Sequence, residues 1–409
     1  MGCDLLFSHP TGNANVLNAA LALEKAGVLS RYHTTIAPCG GNIFSRFAKL
    51  PGFSPILRRQ LPDSFSNKLR LHPSREAFRL LARRAGLRTT NNSFFRFFSI
   101  DSVYKSFDIQ VARSLDHDSF SAVYCYEDGA LETFRIAKLN GLTCIYDLPI
   151  AHWKTVRQLM AEEAERLPDW ACTIEGLQDS EKKLRRKDEE LELADVVICP
   201  SLFVRDSLPL DILKRKRVEV VPFGSPLVFK PIQESPKAGP LKVLFVGSMS
   251  QRKGLADLFA AIKILDPNRF ELHVLGTPIV DIKFYKSQLQ NFIHHTPRAH
   301  SKVLELMQSC DVFVFPSIVE GRALVQQEAM SCGMPIIVTK NAGGEDLVAD
   351  EKAGFLVPIR NPNAIAEKLE MFFKNRELLD EMGKAAESKA QSLTWSDYQK
   401  KIVEIVKTI

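Results

Sequence analysis

Short continuous apolar runs recur along this chain, and most are followed by a stretch with helical spacing. Cys3–Ser8 (CDLLFS), Ala122–Tyr126 (AVYCY), Thr143–Asp147 (TCIYD) and Val196–Cys199 (VVIC) predict buried strands. Apolar positions from about Ala14 to Ala26 predict a helix stopped by Gly27, and Leu131–Leu139 predicts another ending at Gly141. The stretch from Val221 to Pro240 then carries five prolines and reads as a linker. Beyond it the pattern restarts. Strands are predicted at Leu241–Val246, Glu271–Leu275, Val312–Phe315 and Pro335–Thr339, with helices near Leu255–Leu265, Ser301–Gln308 and Ala323–Ser331. From about Thr394 to Ile409, Tyr398, Ile402, Ile405 and Val406 mark one face of an amphipathic helix. Strands alternating with helices build parallel sheets, so the expectation is an α/β chain of two doubly wound, Rossmann-like domains. The expected boundaries are 1–222, a linker 223–240, a second domain 241–390 and a final helix 391–409.

The bulk numbers agree with this reading. A length of 409 residues suits two domains, and 45% apolar with 25% charged residues is ordinary for a globular chain. No apolar run reaches membrane-spanning length, and the start MGCDLLFSHP lacks the regions of a signal peptide. Eight cysteines without C-x-x-C pairs suit reduced thiols in a cytoplasmic protein and give no zinc spacing. Asp116-His117-Asp118 precedes a strand rather than following one, so it reads as a turn; neither metal nor cofactor is expected. Lys214-Arg215-Lys216-Arg217 reads as a solvated loop, so no nucleic-acid partner is expected. Charge does change the picture. Residues 44–107 hold thirteen Lys or Arg against three acidic residues, together with ten Phe. That segment is net +10 in a chain of net +6, so the remainder is about −4. Basic residues interleaved with Phe suit a surface that meets anionic lipid or an anionic acceptor. The alternative is Phe facing the core and Arg facing water on ordinary amphipathic helices.

The densest chemistry lies in Pro316–Thr339, PSIVEGRALVQQEAMSCGMPIIVT. A strand ends at Pro316, Glu320 and Gly321 follow in a loop, and a helix starting near Ala323 carries Glu328. A helix start of this kind offers the free N–H groups of Leu324 and Val325 and the positive dipole end to a diphosphate. Small residues at Gly321 and Ala323 allow close approach to the backbone. Glu320 can accept from sugar hydroxyls, and Glu328 can face ribose hydroxyls. A second motif, LFVGSMSQRKGL, ends a strand at Gly247 and brings Ser248, Arg252 and Lys253 into a loop, where a cation can neutralise a leaving diphosphate. In the first domain, Gly12 and Asn13 occupy the turn after the first strand, and Glu127 follows AVYCY at the same edge of the sheet. The absence of G-x-G-x-x-G argues against NAD.

Pro316–Thr339 resembles the signature of the family 4 (group 1) retaining glycosyltransferases of the GT-B fold, closely from about Val220 to Arg360 and more loosely before. The resemblance implies that Glu320 contacts a donor sugar, Glu328 the ribose and Lys253 the diphosphate. The family usually has Gly-Phe-Gly after the first glutamate; here Gly321-Arg322-Ala323 stands, and Arg322 is a candidate for donor or acceptor contact. Ser248 replaces an expected Arg, which Arg252 can supply. Asp147 stands where the family has a catalytic histidine, leaving Asp147 and His152 as alternatives. Arg298 falls where the family holds the base. The implied function is transfer of a hexose-type sugar from a nucleotide-sugar donor to a glycan or lipid-linked acceptor in cell-surface polysaccharide or glycolipid synthesis, with retention. Its site is the cytoplasm or the inner membrane face. The rivals are a sugar-nucleotide epimerase, which would turn over without acceptor, and a scaffold that binds without turnover.

Overall fold

The computed structural model describes residues 4–48, 54–87, 96–115, 120–174, 177, 179–226 and 239–409. Cys3, Asp116-His117-Asp118 and linker residues 227–238 lie outside the described residues, as do parts of the basic segment.

Two parallel sheets carry the fold. The first is built from β1 Leu5–Ser8, β2 Leu29–Thr34, β3 Leu69–Leu71, β4 Ala122–Tyr126, β5 Thr143–Asp147, β6 Val196–Cys199 and β7 Arg217–Val220, in the order β3-β2-β1-β4-β5-β6-β7. The second holds β8 Leu241–Val246, β9 Phe270–Leu275, β10 Ile293–His295, β11 Val312–Phe315, β12 Ile336–Val338 and β13 Gly354–Leu356, in the order β10-β9-β8-β11-β12-β13. In each sheet the strand that comes first in sequence lies where the order reverses. That is the switch point at which open parallel sheets gather ligands beyond their carboxyl ends. The loops after β1 and β4 in one sheet, and after β8 and β11 in the other, therefore line the functional edge.

The doubly wound, two-sheet architecture expected from the sequence is the observed one. Strands predicted from continuous apolar runs are central and covered on both faces; every residue of β4, β6 and β11 is buried. The strands that the pattern missed include β3, β7, β10 and β13, which are the four sheet edges. They are three or four residues long, and sequences such as LRL, RVEV and IHH carry polar side chains that an edge tolerates.

The two halves exchange parts. Between β5 and β6 the chain leaves its own sheet through the helix Trp153–Arg166 and the turn Pro168–Thr173. Trp170 on that turn enters the core of the second half, with ring centroids 5.7 Å from Phe259 and 5.2 Å from Phe284. In return, the helix Trp395–Lys407 buries Tyr398, Ile402, Ile405 and Val406 in the core that holds Phe7 and Tyr124. Gly224 lets this last segment pass, since a Cβ there would fall 2.3 Å from the Trp395 amide nitrogen.

A buried carboxylate ties the exchange together. Glu163 is fully buried and accepts from Arg166 Nη2 (2.7 Å), Gln251 Nε2 (2.6 Å) and Arg360 Nε (2.5 Å). Asp257, also buried, takes both terminal nitrogens of Arg166 and a second bond from Gln251 Nε2. The partners come from both halves of the chain. Removing one member of such a buried set strands the others without compensation, at a cost of about 3–5 kcal/mol for a fully buried pair. Because Arg166 and Arg360 keep some solvent contact, we expect Glu163→Ala to lose about 3 kcal/mol in urea unfolding; a loss below about 0.5 kcal/mol would show that the cluster is not what joins the halves.

Candidate functional site

Lys253 and Arg252 reach the functional edge on a tight turn after β8. Residues Gln251–Lys253 form a single 3-10 turn closed by Gly254, which adopts φ +72°. A Cβ on Gly254 would fall 2.0 Å from the Pro316 carbonyl oxygen, so glycine is required by both conformation and contact. The turn is thereby pressed against the loop that follows β11. That loop is fixed by its own bonds: Ser317 Oγ donates to the Arg252 carbonyl (3.0 Å), Ile318 N–H to the same oxygen (3.0 Å), and Asn341 Nδ2 to the Ile318 carbonyl (2.8 Å).

The outcome is a charge cluster. Glu320 Oε2 takes a hydrogen bond from Arg252 Nη1 at 3.1 Å and an ion pair from Lys253 Nζ. Lys253 also lies 5.0 Å from the centre of the Phe315 ring. Burial and the adjacent Arg252 push the Lys253 ammonium well below its ordinary range, and the Glu320 carboxylate opposes that shift. Two cations and one carboxylate thus converge where the resemblance places sugar and diphosphate.

Next to the cluster, the helix Leu324–Ser331 begins at Ala323 without a side-chain cap, leaving its first N–H groups to a ligand. Glu328 on this helix is largely buried, and its carboxyl is raised by burial while His300, with Nδ1 at 3.9 Å, opposes the shift. Gln327, its neighbour, turns the other way and donates to the Phe223 carbonyl (2.8 Å) and Ser225 Oγ (3.0 Å), tying the helix to the segment between the sheets. Gly247 and Ser248 sit at the end of β8. The Gly247 carbonyl packs so tightly on Gly276 that a Cβ there would fall 1.8 Å away, and Ser248 Oγ lies 3.4 Å from Ser250 Oγ.

The remaining candidates have these partners in the fold. The Arg322 side chain points inward: Nε bonds Gln327 Oε1 (3.0 Å) and Nη1 bonds Asp346 (2.9 Å), and burial lowers the guanidinium to about 10. Gly321 is small because the first domain approaches it; a Cβ would fall 1.8 Å from the Pro149 carbonyl, and Ser201 Oγ donates to the Gly321 carbonyl at 2.8 Å. His152 caps the Trp153–Arg166 helix through Nδ1, and burial lowers it to about 4. Asp147 is buried at the end of β5, where Tyr124 donates its hydroxyl at 2.7 Å; burial pushes the carboxyl up to about 7. Glu127 is buried and paired with Lys187 Nζ at 3.1 Å. Asn13 caps the first helix through the Val16 N–H. Gly12, at φ +100°, has its N–H and that of Thr11 held by His9 Nδ1, which makes His9 the organiser of the turn. Arg298 is exposed, with Nη2 3.1 Å from His295 Nδ1. Between the domains, a 390 Å³ cavity lined by Ile150, Ala151, Trp153, Val156, Lys187 and Arg252 opens beside the charge cluster.

The supporting residues Gln251, Ser201, Asn341 and Gly276 were not read from the sequence. Gly276 had a signal, since it follows β9 as Gly247 follows β8. The others act through partners distant in the chain. Among the described residues, no group of three or more His, Cys, Asp or Glu side chains is arranged to hold a metal ion, and no helix is long and apolar enough to cross a membrane.

Two parallel sheets facing a cleft, with cationic and acidic loops meeting at their carboxyl ends, define the GT-B architecture. Residues 229–389 match the family described as Glycosyl transferases group 1. An uncharacterized glycosyltransferase of Methanocaldococcus jannaschii is 28% identical over 49% of this chain and 56% of its own length. A D-inositol 3-phosphate glycosyltransferase of Paenarthrobacter aurescens is 29% identical over 37% of this chain and 40% of its own. The matches thus span about half the length of these curated relatives. Among solved structures, a sucrose-phosphate synthase of Thermosynechococcus elongatus superposes with TM-score 0.66 at 17% identity, covering 99% of this chain and 98% of that one. Anabaena HepE in complex with UDP-glucose gives TM-score 0.60 at 14% identity, covering 99% and 100%.

Asp147 gives this region a pH signature. Its folded value of about 7 lies above the ordinary 3.8, so the folded state keeps a proton that the unfolded chain releases. The stability contributed is complete below about pH 4 and is lost as pH rises towards 7. We expect Asp147→Asn, which keeps an acceptor for Tyr124, to gain about 2 kcal/mol over wild type between pH 5 and pH 8 in urea titrations; parallel stability profiles would show that the carboxyl is ionised throughout.

Proposed function

We propose that the chain is a glycosyltransferase that moves a hexose-type sugar from a nucleotide diphosphate to a glycan or lipid-linked acceptor, with retention, at the cytoplasmic face of a membrane. The observation that carries this reading is the convergence of Arg252, Lys253 and Glu320 beside the uncapped start of the Leu324–Ser331 helix. A donor diphosphate entering there displaces Glu320 from the two cations. The phosphates then take the cations and the helix N–H groups, and the freed carboxylate accepts from sugar hydroxyls. As the bond between the anomeric carbon and the diphosphate oxygen breaks, negative charge grows on that oxygen, and Arg252 and Lys253 are already placed to stabilise it. Glu328 takes the ribose. The acceptor hydroxyl approaches from the first domain, through the cavity beside Trp153 and Ile150; its oxygen bonds the anomeric carbon as the diphosphate departs, and its proton passes to the departing diphosphate oxygen. The group 1 match in residues 229–389 supports the donor half of this reading, and HepE's complex with UDP-glucose suggests a uridine nucleotide as the first donor to try.

Lys253→Ala and Glu320→Ala should each lower turnover about 100-fold or more, the scale of losing one preorganised electrostatic group. Calorimetric titration with UDP, GDP and ADP should find one that binds wild type and binds Glu328→Ala more weakly. Near-normal turnover in both cleft variants, or equal nucleotide affinity in Glu328→Ala, would overturn the site assignment.

A further inference from the structure

The first domain carries a face that its own core does not use. On the helix Ser74–Arg84, Phe78 and Leu81 lie three residues apart on one side and are 57% and 53% exposed. Phe97 (62%) and Ile100 (47%) stand beside them, with the Phe78 ring 5.4 Å from Phe98. Ile43, Phe47 and Leu57 are exposed on the neighbouring turns. Single exposed apolar residues need no explanation, but a group confined to one segment marks a contact surface.

Its charge says what it contacts. Arg46, Arg58 and Arg84 are exposed on the same short elements as these apolar side chains. Two of the segment's three acids are turned away: Glu76 is buried under Arg59 (2.8 Å) and Arg79 (2.7 Å), and Asp101 pairs with Lys105 and Arg186; the third, Asp63, is exposed and accepts from the Gly40 N–H (2.9 Å). Phe65 and Phe107 do face the core, as in an ordinary amphipathic arrangement, but on the helix Ser74–Arg84 Phe78, Leu81 and Arg84 are all exposed. Cations around apolar anchors complement a surface that is anionic at its headgroups and apolar beneath them.

We infer that this face, formed by residues 43–47, 57–59, 78–84 and 97–100, docks on an anionic lipid bilayer. Phe78, Leu81 and Phe97 enter the headgroup boundary and the arginines meet the lipid phosphates. The placement suits the cleft. Arg58 and Arg59 line a small hollow with Gly12 and Asn13, at the carboxyl end of β1. A bilayer bound here lies next to the edge where acceptors approach. That last link rests on the glycosyltransferase reading; the docking itself does not.

The test is co-sedimentation of the full chain with vesicles of phosphatidylcholine alone or with about one third phosphatidylglycerol, at low and at about 1 M salt. Wild type should pellet with the anionic vesicles, remain in solution with the neutral ones, and be released by salt as the screening length falls from about 10 Å to about 3 Å. Phe78→Ser/Leu81→Ser should weaken binding at least tenfold. Arg46→Ser/Arg84→Ser should also weaken it at least tenfold, since one surface cation at about 1 kcal/mol is worth about fivefold. Both pairs should leave nucleotide affinity unchanged, which separates this result from failure of the donor site. Equal binding to both vesicle types, binding to neither, or a concentration-dependent dimer abolished by Phe78→Ser/Leu81→Ser would overturn the inference, the last by assigning the face to a second copy of the chain.

Discussion

The buried Glu163 carboxylate, held by Arg166, Gln251 and Arg360, is the contact through which the geometry of the cleft is set. An unpaired carboxylate in that position would be very costly, so the three donors must be present together. They come from a helix of the first half, the turn after β8, and the segment beyond β13. Gln251 is directly followed by Arg252 and Lys253. The residue that satisfies the interdomain carboxylate is therefore next in sequence to the two cations of the site, and its backbone N–H is held in addition by Thr173 Oγ1 at 3.0 Å. Positioning of the cations and attachment of the domains are thus one event.

The exchange of Trp170 for the Trp395–Lys407 helix serves the same end by packing. Each half completes the other's core, so neither sheet presents a finished surface alone. Gln327 adds a polar counterpart by gripping Phe223 and Ser225 from the helix that carries Glu328. The groups expected to meet a donor are built on secondary structure or on loops pinned by backbone bonds, the arrangement that holds charges in place without reorganisation. Within that frame, Glu320 offsets part of the charge of Arg252 and Lys253.

Much of this was legible in the chain, and the physical reason differs by element. β4, β5, β6, β8 and β11 lie inside their sheets, so both faces had to be apolar and the runs stood out. β3, β7, β10 and β13 have one free side, and their short mixed sequences gave no comparable pattern. Glu320 and Glu328 stood out as candidates because helix start, glycine and acid are adjacent in sequence, whereas only the fold brings Lys253, sixty-seven residues away, to Glu320. Arg322 illustrates the opposite limit. Its sequence position suggested a ligand contact, but only the fold could bring Asp346, twenty-four residues away, within 2.9 Å of it. His152 and Asp147 were indistinguishable as candidates because capping and burial both depend on tertiary context.

The similarity to known proteins has the same physical basis. It concentrates in residues 229–389, where backbone conformation carries the chemistry: the φ +72° of Gly254, the Gly247–Gly276 crossing and the uncapped start at Ala323 each constrain residue type tightly. The first domain meets its demands with side chains that many residue types can replace. Its core needs only apolar volume, and a basic surface needs only the right sum of charge. A net charge of +10 over residues 44–107, in a chain whose remainder is net −4, meets such a demand without a motif. Loose constraints of that kind leave no fixed residue pattern for a comparison to match.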